Sequence, residues 1–239
     1  AELKNVGKKI VIYFIGADPK AIEAQGFIAA HNLEDAAIKA CDLSTGKKHN
    51  SEMSEEQIKA AAASGKMTGK HLRGLYSGGT LCDEAQRLLQ PVIGEISSNT
   101  PVKGCKEMPD VYKSTGHCII DLGDDNFTRG KAHPMIDPAH RSERMLQEIA
   151  DPDAGLIIFD VVLGYGSHLD MAGEMVAAIE EGRKKSGRKP LLAACICGTR
   201  EDPQNYAQQQ KILEDAGVKV FPTNVAMVSF ARHCLERNK

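Results

Sequence analysis

The run Leu156-Ile-Ile-Phe-Asp-Val-Val-Leu163 most narrows what this chain can fold into. It lacks the strict apolar–polar alternation of a strand with one wet face, so both faces of a strand here must be covered. Strands of that kind belong to parallel sheets flanked by helices, and amphipathic segments stand on either side of this one. The expected strand spans 155–163 and carries one ionisable group, Asp160. A carboxylate in such a place must be paired or protonated. It reads either as a hydrogen-bond acceptor for loop amides or as a tuned acid.

The same alternation of elements runs through most of the chain. Strands are expected at 72–76, 117–122, 155–163, 190–197 and 218–221, and helices at 80–90, 139–150, 169–185, 203–216 and 225–237. Met171, Met175, Val176 and Ile179 recur at helical spacing. Gly217 suits a helix C-cap and Asn224 an N-cap. Five βα units predict an α/β fold, a flavodoxin-like doubly wound parallel sheet, over residues 71–239. Ligands in such sheets sit beyond the carboxyl ends of the strands, where the loops 77–80, 123–129, 164–168 and 198–202 fall.

The N-terminal stretch repeats the end of this pattern. A strand at 9–16, Asp18-Pro19, a helix, Gly26, a short strand and Asn32 mirror the order from Lys189 to Cys234. Residues 1–43 therefore read as the back half of a second, similar domain. Two strands and two helices bury a sheet poorly, so its front half is expected outside this sequence or on another chain. Residues 44–70, polar and rich in small side chains, read as a linker with one helix at 54–63 behind the box Ser54-Glu-Glu-Gln57.

Composition excludes several classes of function. A net charge of −2 gives no polyanion surface, so no nucleic-acid partner is expected. No apolar run approaches the ~20 residues of a membrane helix, and no signal-peptide pattern opens the sequence. Seven scattered cysteines read as reduced thiols of a cytoplasmic protein, and Cys195-Ile-Cys197 lacks companion soft ligands, so no metal site is expected.

The segment Leu72-Arg-Gly-Leu-Tyr-Ser-Gly-Gly-Thr-Leu-Cys-Asp-Glu-Ala85 carries the sharpest chemistry. A strand runs into Ser77-Gly78-Gly79-Thr80 and a helix starts at once. That geometry aims backbone N–H groups and the positive end of a helix dipole at the crevice, and makes these four residues a phosphate or anion cradle. The plain alternative is a tight turn with a Thr cap. The loop Gly123-Asp-Asp-Asn-Phe-Thr-Arg-Gly-Lys-Ala-His-Pro134 brings Asp124, Asp125, Arg129 and His133 to the same edge. Its carboxylates suit a substrate or a cation, or serve as caps; Arg129 suits a substrate carboxylate. His168, ending Gly164-Tyr-Gly-Ser-His, ranks with His133 as a proton carrier. Cys82, in the first turn of the helix, is expected to be buried.

Residues 72–85 resemble the opening of the ligase domain in the α subunit of succinyl-CoA synthetase. Residues 73–85, 121–138 and 160–168 resemble FdrA proteins, a branch of the CoA-ligase superfamily. Two features depart from the CoA-ligase pattern. The loop after the fourth strand reads Gly198-Thr-Arg-Glu-Asp-Pro203, without the histidine of the Gly-His-Ala-Gly motif, and Val161-Val162-Leu163 stands where a supporting Glu is usual. The resemblance to FdrA proteins implies carbamoyl or acyl transfer to or from phosphate in allantoin and purine breakdown, with oxalurate and phosphate giving oxamate and carbamoyl phosphate. The ligands implied are phosphate and a small anionic substrate, with companion subunits or a homo-oligomer. CoA or a nucleotide is implied only if a missing domain or a partner binds it. An acyl-CoA ligase whose phosphohistidine comes from elsewhere, and a non-catalytic scaffold, are the alternatives.

Overall fold

The computed structural model describes residues 6–238, which divide into two compact units, one reaching Ser54 and the other beginning at Glu55. In the first unit β1 (Val11–Ile12) and β2 (Ile28–Ala29) pair in parallel, with α1 (Pro19–Glu23) between them and α2 (Leu33–Thr45) after them. Asp18 caps α1 by accepting the Lys20 N–H at 3.0 Å, and Asn32 caps α2 by accepting the Asp35 N–H at 2.7 Å. β1 is shorter than the strand expected at 9–16, because a strand persists only where a neighbour supplies its ladder and β2 offers two residues.

The second unit begins with α3 (Glu55–Ser64), inside the stretch expected to be a linker. Ile58 and Ala62, four residues apart, are buried, and the helix packs along α9 (Asn224–Arg237). Glu55 clasps the pair: its carboxylate accepts from Ser229 Oγ at 3.0 Å and Arg232 Nη2 at 2.6 Å, and meets His233 Nε2 at 2.7 Å.

The remaining strands are β3 (His71–Tyr76), β4 (Ile96–Ser98), β5 (Lys106–Glu107), β6 (His117–Asp121), β7 (Ala154–Val162), β8 (Leu191–Cys197) and β9 (Lys219–Phe221). They form one parallel sheet in the order β5-β4-β6-β3-β7-β8-β9. The run β6-β3-β7-β8-β9 is the flavodoxin order, 2-1-3-4-5, so the chain reverses its winding between β3 and β7. β4 and β5, which the sequence pattern did not mark, extend the sheet beyond β6; they are too short to show a period.

α4 (Gly79–Ile93) and α9 cover one face, and α6 (Ala139–Ala150), α7 (Met171–Ser186) and α8 (Tyr206–Asp215) the other. β7 is buried from Ala154 through Val161, as its unbroken apolar run requires. Ile157, Phe159 and Val161 pack with Met145, Ile149, Met175 and Ile179 in the main core.

Two helix starts differ from expectation. α8 begins at Tyr206 rather than 203, because Asn205, at φ 58°, caps it by accepting the Gln208 N–H. Thr223, not Asn224, caps α9 by accepting the Ala226 N–H at 3.1 Å. The Asn224 side chain is buried instead: it accepts from Tyr76 Oη at 2.9 Å and donates to Leu81 O and to Glu84.

Near the start of β3, Arg73 is fully buried and donates to Glu148 at 2.9 Å, to Asp151 at 2.5 Å and to the Gly116 carbonyl. Glu148 also receives Arg144 Nε at 2.6 Å and Ser114 Oγ at 2.5 Å. This network pins the lead-in to β6 against α6, and thereby sets the height at which β6 ends beside β3.

Candidate functional site

At the reversal point the carboxyl ends of β6, β3 and β7 lie side by side, and the chain leaves β3 directly into α4. Ser77 is buried there and is held by Asp160 of β7. Its N–H donates to Asp160 Oδ1 at 2.9 Å and its hydroxyl to Oδ2 at 2.6 Å. From the other side, Arg141 Nη2 donates to the same Oδ1 at 3.0 Å and to the Asp160 carbonyl at 2.5 Å. Both partners of this ion pair are about as buried as the core. Asp160 is thus a latch for the turn, with its oxygens committed inside the protein. Ser77, counted in the cradle from sequence, spends both its donors on that latch. The open donors begin after it.

Gly78 is the N-cap of α4 in extended backbone, and no side chain caps the helix. Thr80, the capping residue of the plain reading, is exposed on the first turn. The Cys82 N–H reaches the Gly78 carbonyl at 3.5 Å. A helix leaves its first N–H groups without internal partners, so those of Gly79, Thr80 and Leu81 are left at the positive dipole end. The Cys82 thiol is buried and pushed far up by desolvation, which removes it as a nucleophile.

Asp121 closes β6 opposite Tyr76, and the sequence reading did not include it among the site residues. Its Oδ1 accepts the Gly123 N–H at 2.8 Å. Its Oδ2 lies at the first turn of α4, 3.2 Å from where a Cβ on Gly79 would stand. Burial pushes this carboxyl up to about 6; Asp124, Asp160 and Asp83 add like-charge repulsion, against the Gly123 N–H. In sequence it is marked only as the polar end of the strand Ile119-Ile-Asp121; the register that sets it level with Tyr76 is structural.

His133 joins the same point. A Cβ on Gly123 would lie 2.6 Å from Ser77 O, 2.7 Å from His133 Nε2 and 3.1 Å from Asp121 Oδ1, so only glycine fits between them. The imidazole Nδ1 accepts the Met135 N–H at 3.3 Å, which assigns the proton of the neutral ring to Nε2. The next loop is tied to this one, since the His168 N–H donates to Met135 O at 2.7 Å. His168 Nδ1 in turn accepts from Asp170 N at 3.2 Å.

The other loop candidates lie further out. Asp124 caps α5 (Asp125–Thr128), accepting from Asn126 N at 3.0 Å and Asn126 Nδ2 at 2.6 Å. Asp125 and Arg129 are exposed at the two ends of that helix. Among the described residues no three His, Cys, Asp or Glu side chains converge on a metal-binding point. The seven cysteines are free thiols. Among the described residues no helix is long and apolar enough to cross a membrane.

Residues 75–233 match the CoA-ligase family model, from the end of β3 into α9. The chain belongs to the CoA-ligase family. It is 36% identical over 217 residues to the uncharacterized protein YahF of Escherichia coli strain K12, a match covering 88% of this chain and 42% of YahF. Among solved structures it is similar to PH0766 of Pyrococcus horikoshii OT3, at 14% identity and a TM-score of 0.49, over 92% of this chain and 43% of that one. It is likewise similar to the dinucleotide-forming acetyl-coenzyme A synthetase 1 of Ca. Korarchaeum cryptofilum, determined with phosphate and ADP. That match also has 14% identity and a TM-score of 0.49, and covers 97% of this chain and 47% of the other. The chain thus spans less than half the length of each of these relatives.

Proposed function

We propose that this chain binds phosphate at the N-terminus of α4 and serves in the transfer of an acyl-type group to or from it. The observation that carries this reading is the uncapped helix start at Gly78, opening at the reversal point of the sheet beside Asp121 and His133. The N–H groups of Gly79 and Thr80 hold phosphate oxygens, and the helix dipole offsets charge that builds up in the transition state. The latch through Asp160 and Arg141 fixes the turn before a ligand arrives, so little ordering accompanies binding.

The resemblance to FdrA proteins narrows the acyl group to carbamoyl, with oxalurate and phosphate giving oxamate and carbamoyl phosphate in allantoin breakdown. A phosphate oxygen attacks the carbamoyl carbon, the bond to the oxamate nitrogen breaks, and that nitrogen takes the proton that hydrogen phosphate releases. His133 and His168 are the proposed proton carriers and Arg129 the partner of the substrate carboxylate. Companion subunits, or further parts of a longer protein, complete the reaction and bind any CoA or nucleotide.

Family membership favours a second reading, an acyl-CoA ligase in which a phosphohistidine from another domain or subunit docks at the same turn. The loop after β8 reads Gly198-Thr-Arg-Glu-Asp-Pro203 and has no histidine of its own. The full protein with its companions, given oxalurate and phosphate, tests the first reading: carbamoyl phosphate forms, and Gly79→Asp abolishes it. An acid-labile phosphohistidine formed from labelled ATP, with no turnover of oxalurate, supports the second and overturns the first.

A further inference from the structure

We propose that Asp121 is the acid–base carboxyl of this site: as a neutral acid it donates a hydrogen bond from Oδ2 to a bound tetrahedral oxyanion and passes the proton on during transfer. This inference rests on the reading that α4 receives an oxyanion, and adds a catalytic residue to it.

Asp121 is 7% exposed, and its two oxygens have different surroundings. Oδ1 is engaged by the Gly123 N–H, whereas Oδ2 stands at the first turn of α4 and receives no hydrogen bond from the described residues. The backbone of Asp121 is fixed on both sides, its N–H donating to Asn99 Oδ1 and its carbonyl accepting from Asn99 Nδ2, each at 2.9 Å. With the backbone so held, the Gly123 N–H on Oδ1 orients the carboxyl.

The charged groups facing Asp121 are Asp83 from α4, Asp124 from the loop after β6, and Asp160 from β7, the last neutralised by Arg141 of α6. His133 presents its Nε2 across Gly123. An ionised Asp121 would set a like charge against any anion on α4. A protonated one removes the repulsion and supplies a donor. With the carboxyl pushed up to about 6, both forms are accessible near neutral pH. In the transfer, Asp121 gives its proton to the leaving nitrogen and regains one from the attacking hydrogen phosphate, so charge and protons balance.

Sulfate tests this directly, because it is a tetrahedral dianion whose own charge is constant across the range. Sulfate binding to the purified protein is measured by calorimetry from pH 5 to pH 8, for the wild type, Asp121→Asn, His133→Gln and Gly79→Asp. The affinity of the wild type is expected to fall roughly tenfold between pH 5 and pH 7. Asp121→Asn is expected to hold the low-pH affinity throughout, while His133→Gln keeps the wild-type fall. Wild-type binding that is flat with pH, or a fall that survives in Asp121→Asn, overturns the inference and leaves the oxyanion reading intact. No binding at any pH, or binding by Gly79→Asp equal to the wild type, overturns the oxyanion reading itself.

Discussion

Ser77 and Asp160 are joined twice, through the Ser77 N–H at 2.9 Å and its hydroxyl at 2.6 Å, across the junction where β3 hands the chain to α4. Asp160 is able to do this in a buried position because Arg141 balances its charge from behind. One residue of the apolar strand thus decides where the helix N-terminus points.

Breaking that latch is expected to cost both fold and site. Removing one partner of a buried ion pair leaves the other charge without compensation, a loss of about 3–5 kcal/mol. Asp160→Ala and Arg141→Met should each show it in urea unfolding. The double variant Asp160→Asn/Arg141→Met, which leaves no lone charge, should recover much of the stability but not the phosphate affinity. Equal stability of the single variants and the wild type would show that the pair is not a latch.

Gly123 is the meeting point of three site groups, and it should not tolerate a side chain. An added Cβ falls 2.6 Å from Ser77 O and 2.7 Å from His133 Nε2, distances that force the backbone or the imidazole to move. Gly123→Ala is expected to weaken phosphate binding severalfold and to shift the His133 ring signals in NMR spectra. Unchanged signals would place His133 away from the turn.

Asp121 also leaves a mark on stability. Its folded pKa, about 6, lies above its unfolded value near 4, so the proton is bound more tightly in the folded state. The contribution is complete below pH 4 and is lost as pH rises through 6. Above pH 6 an ionised Asp121 opposes folding. Asp121→Asn should therefore stabilise the protein near pH 7.5 and make little difference at pH 4. A stability gain that does not depend on pH would contradict this.

Helix α3 should behave as part of the second unit. Glu55→Ala removes the acceptor for Ser229 and Arg232 on α9. Amide exchange in α3 is expected to speed up, while the sheet strands keep their protection; equal protection throughout would show that the clasp is dispensable.

The fold was readable because its signals are repeated. The apolar run of β7, the β3 turn and the spacing of Met171, Met175 and Ile179 each point to the same covered parallel sheet. β4 and β5 were not readable, since three and two residues carry no period. The helix caps were legible in kind but not in place: Thr223 and Asn224 are both capping residues, and only the buried partners of Asn224 decide between them. Of the site, Gly78, Gly79 and His133 could be found from turn chemistry and loop position. Ser77 looked like a ligand donor because sequence does not reveal that Asp160 takes both its hydrogens. Asp121 is not legible in sequence, because only strand register sets it level with Tyr76, and its proximity to α4 arises from the fold.

The account stands or falls on what occupies that first turn. A crystal structure grown in inorganic phosphate tests this most directly. It should show a tetrahedral anion within hydrogen-bond distance of the Gly79 and Thr80 N–H groups, with Asp121 Oδ2 as a third contact, and no such anion in Gly79→Asp. Density for phosphate elsewhere only, with the α4 turn unoccupied in the wild type, would contradict it.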